Sequence, residues 1–365
     1  PGQAGRIVLP AVLWWGRFDA GYSRNRILRE LFSELGWRII DFHPRFSPLG
    51  DMQARLQRIA RPDLVWVPCF RQRDLAAAAR WARARQVPLV FDPLISAYDK
   101  QVDERRKMAA GSARARRLLA WERGLFAQAD RVLADTPAHA DYFEQQLGVA
   151  RERLAVVYVG AQASLFRAGD LSAKAPGEPI EVLFYGSFIP LQGPEVIVEA
   201  ARRTSGLPVN WTLLGAGPLK AACEQAARDL DKVRFEDWLP YEQIPARIHR
   251  ADILLGVFGD TPKAGRVIPN KVYQALACGR PLVTRAAPAY PQALSVNHDS
   301  GIAWVPAGDA AALAACLGEL AAHPDRLPGM AAHAAATSQA WFSREVLRKQ
   351  LRGLLDGLIG RSGPT

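Results

Sequence analysis

Along the chain, short apolar runs alternate with longer stretches whose apolar positions recur every three or four residues. The short runs end in Gly, Pro or Asp, as strands do where they enter loops, and the longer ones have the period of a helix with one buried face. In the first half the runs predict strands at 6–13, 38–43, 64–68, 88–92, 131–135 and 154–159. Helices are predicted near 23–35, 52–59, 74–85, 112–128 and 137–147. Residues 166–179 are rich in Ala, Pro and Gly, have no period and predict a linker. The alternation restarts with strands at 180–186, 210–215, 233–238, 253–258, 281–285 and 301–305. Their helices lie near 194–204, 218–230, 243–250, 269–278 and 310–322, and a last amphipathic helix covers 343–359. Strand and helix in strict alternation predict an α/β protein of parallel, doubly wound sheets. The expected organisation is an N-terminal Rossmann-like domain over 1–165, a linker over 166–179, a second Rossmann-like domain over 180–342, and a helix and tail over 343–365 packing back across both. Two such domains face each other across a cleft, so function is sought in loops just after strands.

Composition narrows the class. A chain of 365 residues suits two domains at roughly 100–200 residues each. With 49% hydrophobic and 23% charged residues it is neither disordered nor fibrous. No internal repeat suggests a solenoid, and no run approaches the ~18 apolar residues of a membrane span. The first ten residues lack the basic-then-apolar pattern of a secretory leader. Cys69, Cys223, Cys278 and Cys316 lie far apart, and the six His are scattered. This predicts a reducing, cytoplasmic setting with no disulfide framework and no metal site.

The charge is lopsided. Residues 1–165 carry 26 Lys+Arg against 17 Asp+Glu, whereas 166–365 carry 21 against 19. A basic field on the first half attracts phosphate, anionic lipid or nucleic acid. The stretch Glu104-Arg-Arg-Lys107 and then Arg114, Arg116 and Arg117 is basic and is interleaved with Leu118, Leu119 and Trp121. It suits either docking on the inner face of an anionic membrane or a solvated helix face.

Three segments of the second half carry candidate chemistry. In Phe184-Tyr-Gly-Ser-Phe-Ile-Pro-Leu-Gln-Gly-Pro-Glu195 a strand ends at Gly186, and Gly193-Pro194 opens a helix. Free backbone N–H groups there suit an anion such as a diphosphate, although an ordinary loop looks the same. Leu213-Leu-Gly-Ala-Gly-Pro-Leu219 is a second glycine turn, in which Gly215 and Gly217 would let a ligand approach the backbone. The most specific stretch runs from Phe258 to Thr284. It places Lys263, Arg266 and Lys271 around a helix start, as needed to hold a departing diphosphate without a metal. Gln274 falls on the same helix face as Lys271.

Within that stretch Ala275-Leu-Ala-Cys-Gly-Arg-Pro-Leu-Val-Thr284 resembles the EAMACGxPVV signature of retaining family 4 glycosyltransferases of the GT-B fold. The resemblance extends over nearly the whole chain. Gly186 to Gly193 falls where that family has its GRL…KG phosphate loop, and Leu214-Gly-Ala-Gly-Pro218 matches its GxGP turn. Residues 233–241 are similar to the segment near the nucleotide base, which brings in Leu239. Ala129-Asp-Arg-Val-Leu-Ala-Asp-Thr-Pro-Ala-His139 and Val157-Tyr-Val-Gly160 resemble the last strands of the family's first domain. The resemblance implies a metal-independent, retaining transferase that takes its sugar from a nucleoside diphosphate and needs no cofactor. It implies donor contacts at Gly186, Ser187, Gln192, Gly193, Gly215, Gly217, Leu239, Lys263, Val267, Ile268, Pro269, Asn270 and Gln274. The chain departs from the family at two pairs of positions: Arg266 and Gln274 stand where the family has Glu-x7-Glu. Ser187 and Gln192 replace the Arg and Lys of the phosphate loop.

The first domain is expected to hold the acceptor, a glycan, glycolipid or lipid-linked hydroxyl of cell-surface polysaccharide assembly. Gly21, Tyr22 and Arg24 follow the first strand, with Arg24 facing either a phosphate or solvent. Asp92 and Tyr98 follow the fourth. Asp92 joins Lys271 and Arg266 in the expected catalytic set, either orienting the acceptor hydroxyl or merely capping a loop. Asp229-Leu-Asp231, formally a metal-binding DxD, is read as a surface feature. No carboxylate pair of glycosidase type is evident. The departures also leave open a non-catalytic protein that binds sugar nucleotide or glycan on the same fold. Neither a nucleic-acid-binding motif nor the acid–base groups of an epimerase can be placed.

Overall fold

The computed structural model describes residues 9–104, 107–295 and 299–359. The leader question, the first residues of the strand expected from 6, Arg105, Arg106 and the tail from 360 lie outside the described residues. The chain separates into two compact units. One is the chain up to Val159 together with the residues from Leu347 on; the other is Gly160–Val346.

The first unit holds a parallel sheet of six strands: β1 Ala11–Trp15, β2 Arg38–Phe42, β3 Leu64–Val67, β4 Leu89–Phe91, β5 Arg131–Ala134 and β6 Leu154–Val156, in the order β2-β1-β3-β4-β5-β6. Its central strands are buried on both faces, so they read as continuous apolar runs. In β1, Trp14 stacks on Trp66 at 5.5 Å between ring centroids, while Trp15 on the opposite face meets Phe42 at 4.4 Å. The helix Pro137–Leu147 starts where its sequence says it should. Thr136 accepts a hydrogen bond from the His139 N–H at 3.1 Å, and Pro137 follows it.

The second unit repeats the plan with β7 Ile180–Tyr185, β8 Val209–Leu214, β9 Val233–Glu236, β10 Ile253–Leu255, β11 Leu282–Arg285 and β12 Ile302–Val305. The order is β12-β11-β10-β7-β8-β9, the Rossmann arrangement, and all pairs are parallel. Strand order reverses between β7 and β10, so the loops leaving those two strands flank the switch point. In the first unit the reversal lies between β1 and β3.

All twelve expected strands are present, most of them shorter by one to three residues where the chain turns into a loop. The stretch 166–179 has no helix or strand, but its first residues are held. Phe166 is buried and packs on Tyr241, and Arg280 donates to the carbonyls of Gly169, Asp170 and His249. One long helix was not expected: Leu327–Phe342. Its Leu-Pro-Gly start and run of alanines hide the period, because Ala fills buried and exposed positions alike. In the last helix, Arg344–Ile359, Leu347, Leu351, Leu354 and Leu355 are buried. Its Gln350 accepts the Tyr158 N–H at 3.2 Å, within the first unit.

Candidate functional site

The switch point of the second unit gathers most of the expected donor residues. The loop after β7 runs from Gly186 to Gly193, and the loop after β10 runs from Gly256 to Pro269. They interlock through backbone that only glycine permits. A Cβ on Gly193, at φ +66°, would lie 2.7 Å from the Gly259 nitrogen, and one on Gly259 would lie 2.3 Å from the Pro190 carbonyl oxygen. The Phe258 N–H donates to the Gln192 carbonyl at 3.1 Å, and Leu191 packs with Val257, Ala264 and Val267. Lys263 in the second loop is buried beside Ala264.

Lys271 is the centre of this arrangement. It sits in the first turn of the helix Asn270–Ala277 and is only 5% exposed. Its ammonium donates to the Gln192 side-chain carbonyl and lies 3.7 Å from the centre of the Phe184 ring. Burial drives its pKa well below the ordinary lysine value. Gly186, at φ +155°, is what leaves room for it: a Cβ there would come within 2.8 Å of Nζ and 2.9 Å of Gln192 Oε1. A neutral amide and an aromatic face are weak partners for a desolvated ammonium. The site therefore favours a ligand that brings negative charge.

Gln274, one turn along the same helix, is also buried; its carbonyl accepts the Tyr185 hydroxyl at 2.6 Å. The amide nitrogen is the group left to donate. Sequence reasoning missed Tyr185, a strand-end residue whose hydroxyl gave no pattern to read. It also missed Arg285, which donates to the Gly259 carbonyl at 2.6 Å and so steadies the second loop. Arg266, Val267, Pro269 and Asn270 are half-buried in that loop and helix start, Ile268 is buried, and Ser187 is exposed.

Gly215 and Gly217, expected among the donor contacts, lie against the loop after β7. A Cβ on Gly215 would lie 2.1 Å from the Gly186 carbonyl oxygen, and one on Gly217 would lie 2.6 Å from the Phe188 nitrogen. Their freedom lets the turn after β8 press against the loop after β7, sealed by Phe188 N–H to Ala216 O at 2.9 Å and Leu219 N–H to Phe188 O at 3.1 Å. The close neighbour is the chain's own backbone. Leu239 is half-buried beyond β9. Asp229 of the formal DxD pairs with Arg202, which pulls its pKa down to about 2. Among the described residues, no three or more His, Cys, Asp or Glu side chains gather as metal ligands would.

In the first unit the structure joins two residues that the sequence left apart. Arg24 and Asp92 form a two-pronged ion pair, Nε to Oδ2 at 3.0 Å and Nη2 to Oδ1 at 3.1 Å, with neither side chain more than 1% exposed. Arg24 Nη1 also donates to the carbonyls of Val157 and Tyr158. Burial works against the arginine's charge, but the carboxylate outweighs it and raises the Arg24 pKa. Both Asp92 oxygens are thus taken by Arg24, and the pair ties the ends of β4 and β6 to the helix Ser23–Glu34. The readings of Asp92 as a hydroxyl-orienting group and of Arg24 as a phosphate contact or solvated residue give way to this buried clamp. Tyr22 packs edge-on against Phe70 at 5.1 Å, and Gly21 donates to Asp19. Tyr98 donates its N–H to buried Glu122, which also holds Ser96 and Ala97.

Comparison with known proteins gives one consistent answer. A model of the glycosyl transferase 4-like domain matches residues 15–160, and one of the glycosyl transferases group 1 matches residues 179–323. The colanic acid biosynthesis glycosyltransferase WcaL of Escherichia coli is 27% identical over 226 residues, covering 59% of this chain and 53% of its own. A D-inositol 3-phosphate glycosyltransferase of Nocardia farcinica is 30% identical over 265 residues, 66% of this chain and 57% of its own. The chain thus spans little more than half the length of these relatives. Among solved structures, Anabaena HepE in complex with UDP and glucose superposes with a TM-score of 0.70 at 16% identity, covering 96% of this chain and all of that one. Sucrose-phosphate synthase of Thermosynechococcus elongatus gives 0.72 at 18% identity, covering 97% of this chain and 100% of its own. The fold is that of GT-B glycosyltransferases.

Proposed function

Because the chain belongs to the group 1 glycosyltransferases, we propose that it moves a sugar from a nucleoside-diphosphate sugar to an acceptor hydroxyl, with retention of configuration and without a metal ion. The observation that carries this reading is Lys271, a buried ammonium that, among the described residues, faces a side-chain carbonyl and aromatic rings and no carboxylate at the switch point of the second unit. A diphosphate supplies the counter-charge that the site lacks. As the bond to the sugar breaks, negative charge grows on the leaving phosphate. A preorganised cation in a dry site stabilises that charge far more than water would. Backbone N–H groups of the loop after β7, and the cations Lys263 and Arg266 of the loop after β10, complete the holding surface. The Gln274 amide hydrogen-bonds the sugar or ribose hydroxyls. The neighbour HepE was crystallised with UDP and glucose, which supports a nucleotide-sugar donor here. The relatives named for colanic acid synthesis support an acceptor in polysaccharide assembly, a glycan or lipid-linked hydroxyl. The protein then works at the cytoplasmic face of a membrane.

The test is the stereochemistry of the product, with EDTA present throughout. Sugar nucleotides with α-anomeric carbons are offered with an acceptor panel, and the new linkage is read by NMR. An α-linked product at an undiminished rate is the expected result. A β-linked product contradicts retention, and loss of rate with EDTA contradicts metal independence. Nucleotide binding without release of sugar, for every donor and acceptor offered, favours instead a binding protein on this fold, the reading raised by Arg266 and Gln274 in place of paired Glu.

A further inference from the structure

A cavity of about 680 Å³ opens at the amino-terminal ends of β4 and β5, where Leu89 and Arg131 begin those strands. Asp92 and its clamp lie at the other end of β4, and the donor residues belong to the second unit, so neither accounts for this cavity. Small side chains make the space. Ala79 and Ala82 come from the last turns of the helix Gln72–Arg83, Ala127 and Ala129 follow the helix Ala113–Phe126, and Gly357 lies near the end of the last helix. Leu89 and Leu358 are buried and add apolar surface. The volume suits a small molecule.

Two helices end at this cavity, and free carbonyls at a helix end repel anions. Here the carbonyls are already held. Arg153 donates through Nη2 to the carbonyls of Phe126 at 3.0 Å, Ala127 at 3.1 Å and Ala129. Arg61 donates to the carbonyls of Arg85 at 3.0 Å and Gln86 at 3.1 Å. Asp130 is the one acid among the described residues of the lining, and one of its oxygens accepts the Leu89 N–H at 2.7 Å. Arg83 and Arg131 remain. Arg83 is exposed and Arg131 half-buried, and among the described residues neither has an acidic partner. Arg83, Arg131 and Arg153 around a single carboxylate repel one another, and an anion in the cavity relieves that repulsion.

We propose that this cavity binds a small, soluble phosphomonoester, whose phosphate is gripped by Arg83 and Arg131. Charge selects the class. A phosphomonoester carries about −1.5 to −2 near pH 7 and so answers both guanidinium groups, where a carboxylate would answer one. The planar forks of arginine match phosphate oxygens. The alanine walls and Leu358 take the organic body, and the second Asp130 oxygen and the Gln86 side-chain amide meet its hydroxyls. The ligand then holds the end of the last helix. Leu358 lies about two turns beyond Gln350, which accepts the Tyr158 N–H, and the Tyr158 carbonyl is one of those that Arg24 holds. That is the place of an effector bracing the first unit, not of a substrate. The proposal does not depend on the transferase reading.

The experiment is calorimetric titration with glucose 1-phosphate, uridine 5′-monophosphate and inorganic phosphate. Four proteins are compared: wild type, Arg83→Gln/Arg131→Gln, Ala127→Trp and Lys271→Met. Ala127 is exposed, so the tryptophan fills the cavity from its rim and leaves both arginines in place. At least one ester should bind wild type about tenfold or more tightly than inorganic phosphate does, because the cavity also holds the body, and which ester binds identifies that body as a sugar or a nucleoside. The arginine variant should bind that ester roughly 100-fold more weakly, at about tenfold for each charged contact, and Ala127→Trp should abolish binding. Lys271→Met should bind it as wild type does. Melting temperatures are measured alongside: the ester should raise that of wild type, and without ligand the arginine variant should melt no lower than wild type, since like charges have been removed. No binding of either ester, inorganic phosphate bound as tightly as the esters, or binding that survives either cavity variant overturns the proposal. Binding lost in Lys271→Met also overturns it, and puts the ester in the donor site instead.

Discussion

Gly186 shows how one missing side chain governs a site. Its φ of +155° and the 2.8 Å from a would-be Cβ to Lys271 Nζ leave Ala no comfortable place. Gly186→Ala should cost about 1–3 kcal/mol of stability, and nucleotide affinity should fall with it as Lys271 is pushed aside. Calorimetric titration checks the second effect and urea unfolding the first. The Arg24–Asp92 clamp makes a different demand. Asp92→Ala strands a guanidinium that has almost no access to water, so unfolding free energy should drop by about 3–5 kcal/mol. Arg24→Met/Asp92→Leu should recover part of that loss, because the apolar pair leaves no buried charge. If Asp92→Ala is instead as stable as wild type, the clamp is not structural. Neither the clamp nor the Lys271–Gln192 contact was legible in the sequence. The partners lie 68 and 79 residues apart, and nothing local marks them. Lys271 itself was legible, because a lysine after a proline at a helix start is a local pattern.

Among the elements, the strands were legible because a parallel sheet buries both faces and writes apolar runs into the chain. The helix Leu327–Phe342 was not legible, yet it supports the site. It packs on Asn270–Ala277, with Phe342 meeting Tyr273 edge-on at 5.0 Å, and Thr337 donates to the Ser300 carbonyl at 2.8 Å. Gly301, at φ +73°, lets it come so close that a Cβ would lie 2.3 Å from the Ala334 nitrogen. Gly301→Val should therefore cost about 3 kcal/mol or more, by overpacking backbone against backbone. Since the displaced helix backs the one carrying Lys271, nucleotide affinity should weaken too. Unfolding curves with and without UDP would show both losses; an unchanged curve would mean that the helix is a bystander. The glycine turn Leu214-Gly-Ala-Gly-Pro218 teaches the converse. Its pattern was legible, but its reason was not, since only the folded chain reveals that the close neighbour is the loop after β7.

For the whole molecule, the uneven charge of its two halves was plain from the sequence, and the exposed arginines of the first unit give that charge an address. Proton linkage offers a further test of the second unit. Lys271 has its pKa lowered by burial, so the unfolded chain holds this proton at pH values where the folded protein does not. The lysine's effect on stability therefore becomes more favourable as pH rises from the lowered value towards the ordinary one. A bound diphosphate restores the charge, so binding takes up a proton in that window. Between the lowered and the ordinary lysine value, affinity for a nucleoside diphosphate should fall as pH rises, by at most about tenfold per pH unit. The fall should vanish in Lys271→Met.

The most direct measurement is calorimetric titration with UDP, GDP, ADP and dTDP, in the presence of EDTA, for wild type and Lys271→Met. One nucleotide should bind wild type and bind the variant roughly 100-fold more weakly, the effect of about 3 kcal/mol of charge-assisted hydrogen bonding. Equal binding by the two proteins, or no binding of any nucleotide by wild type, would contradict a donor site built around Lys271.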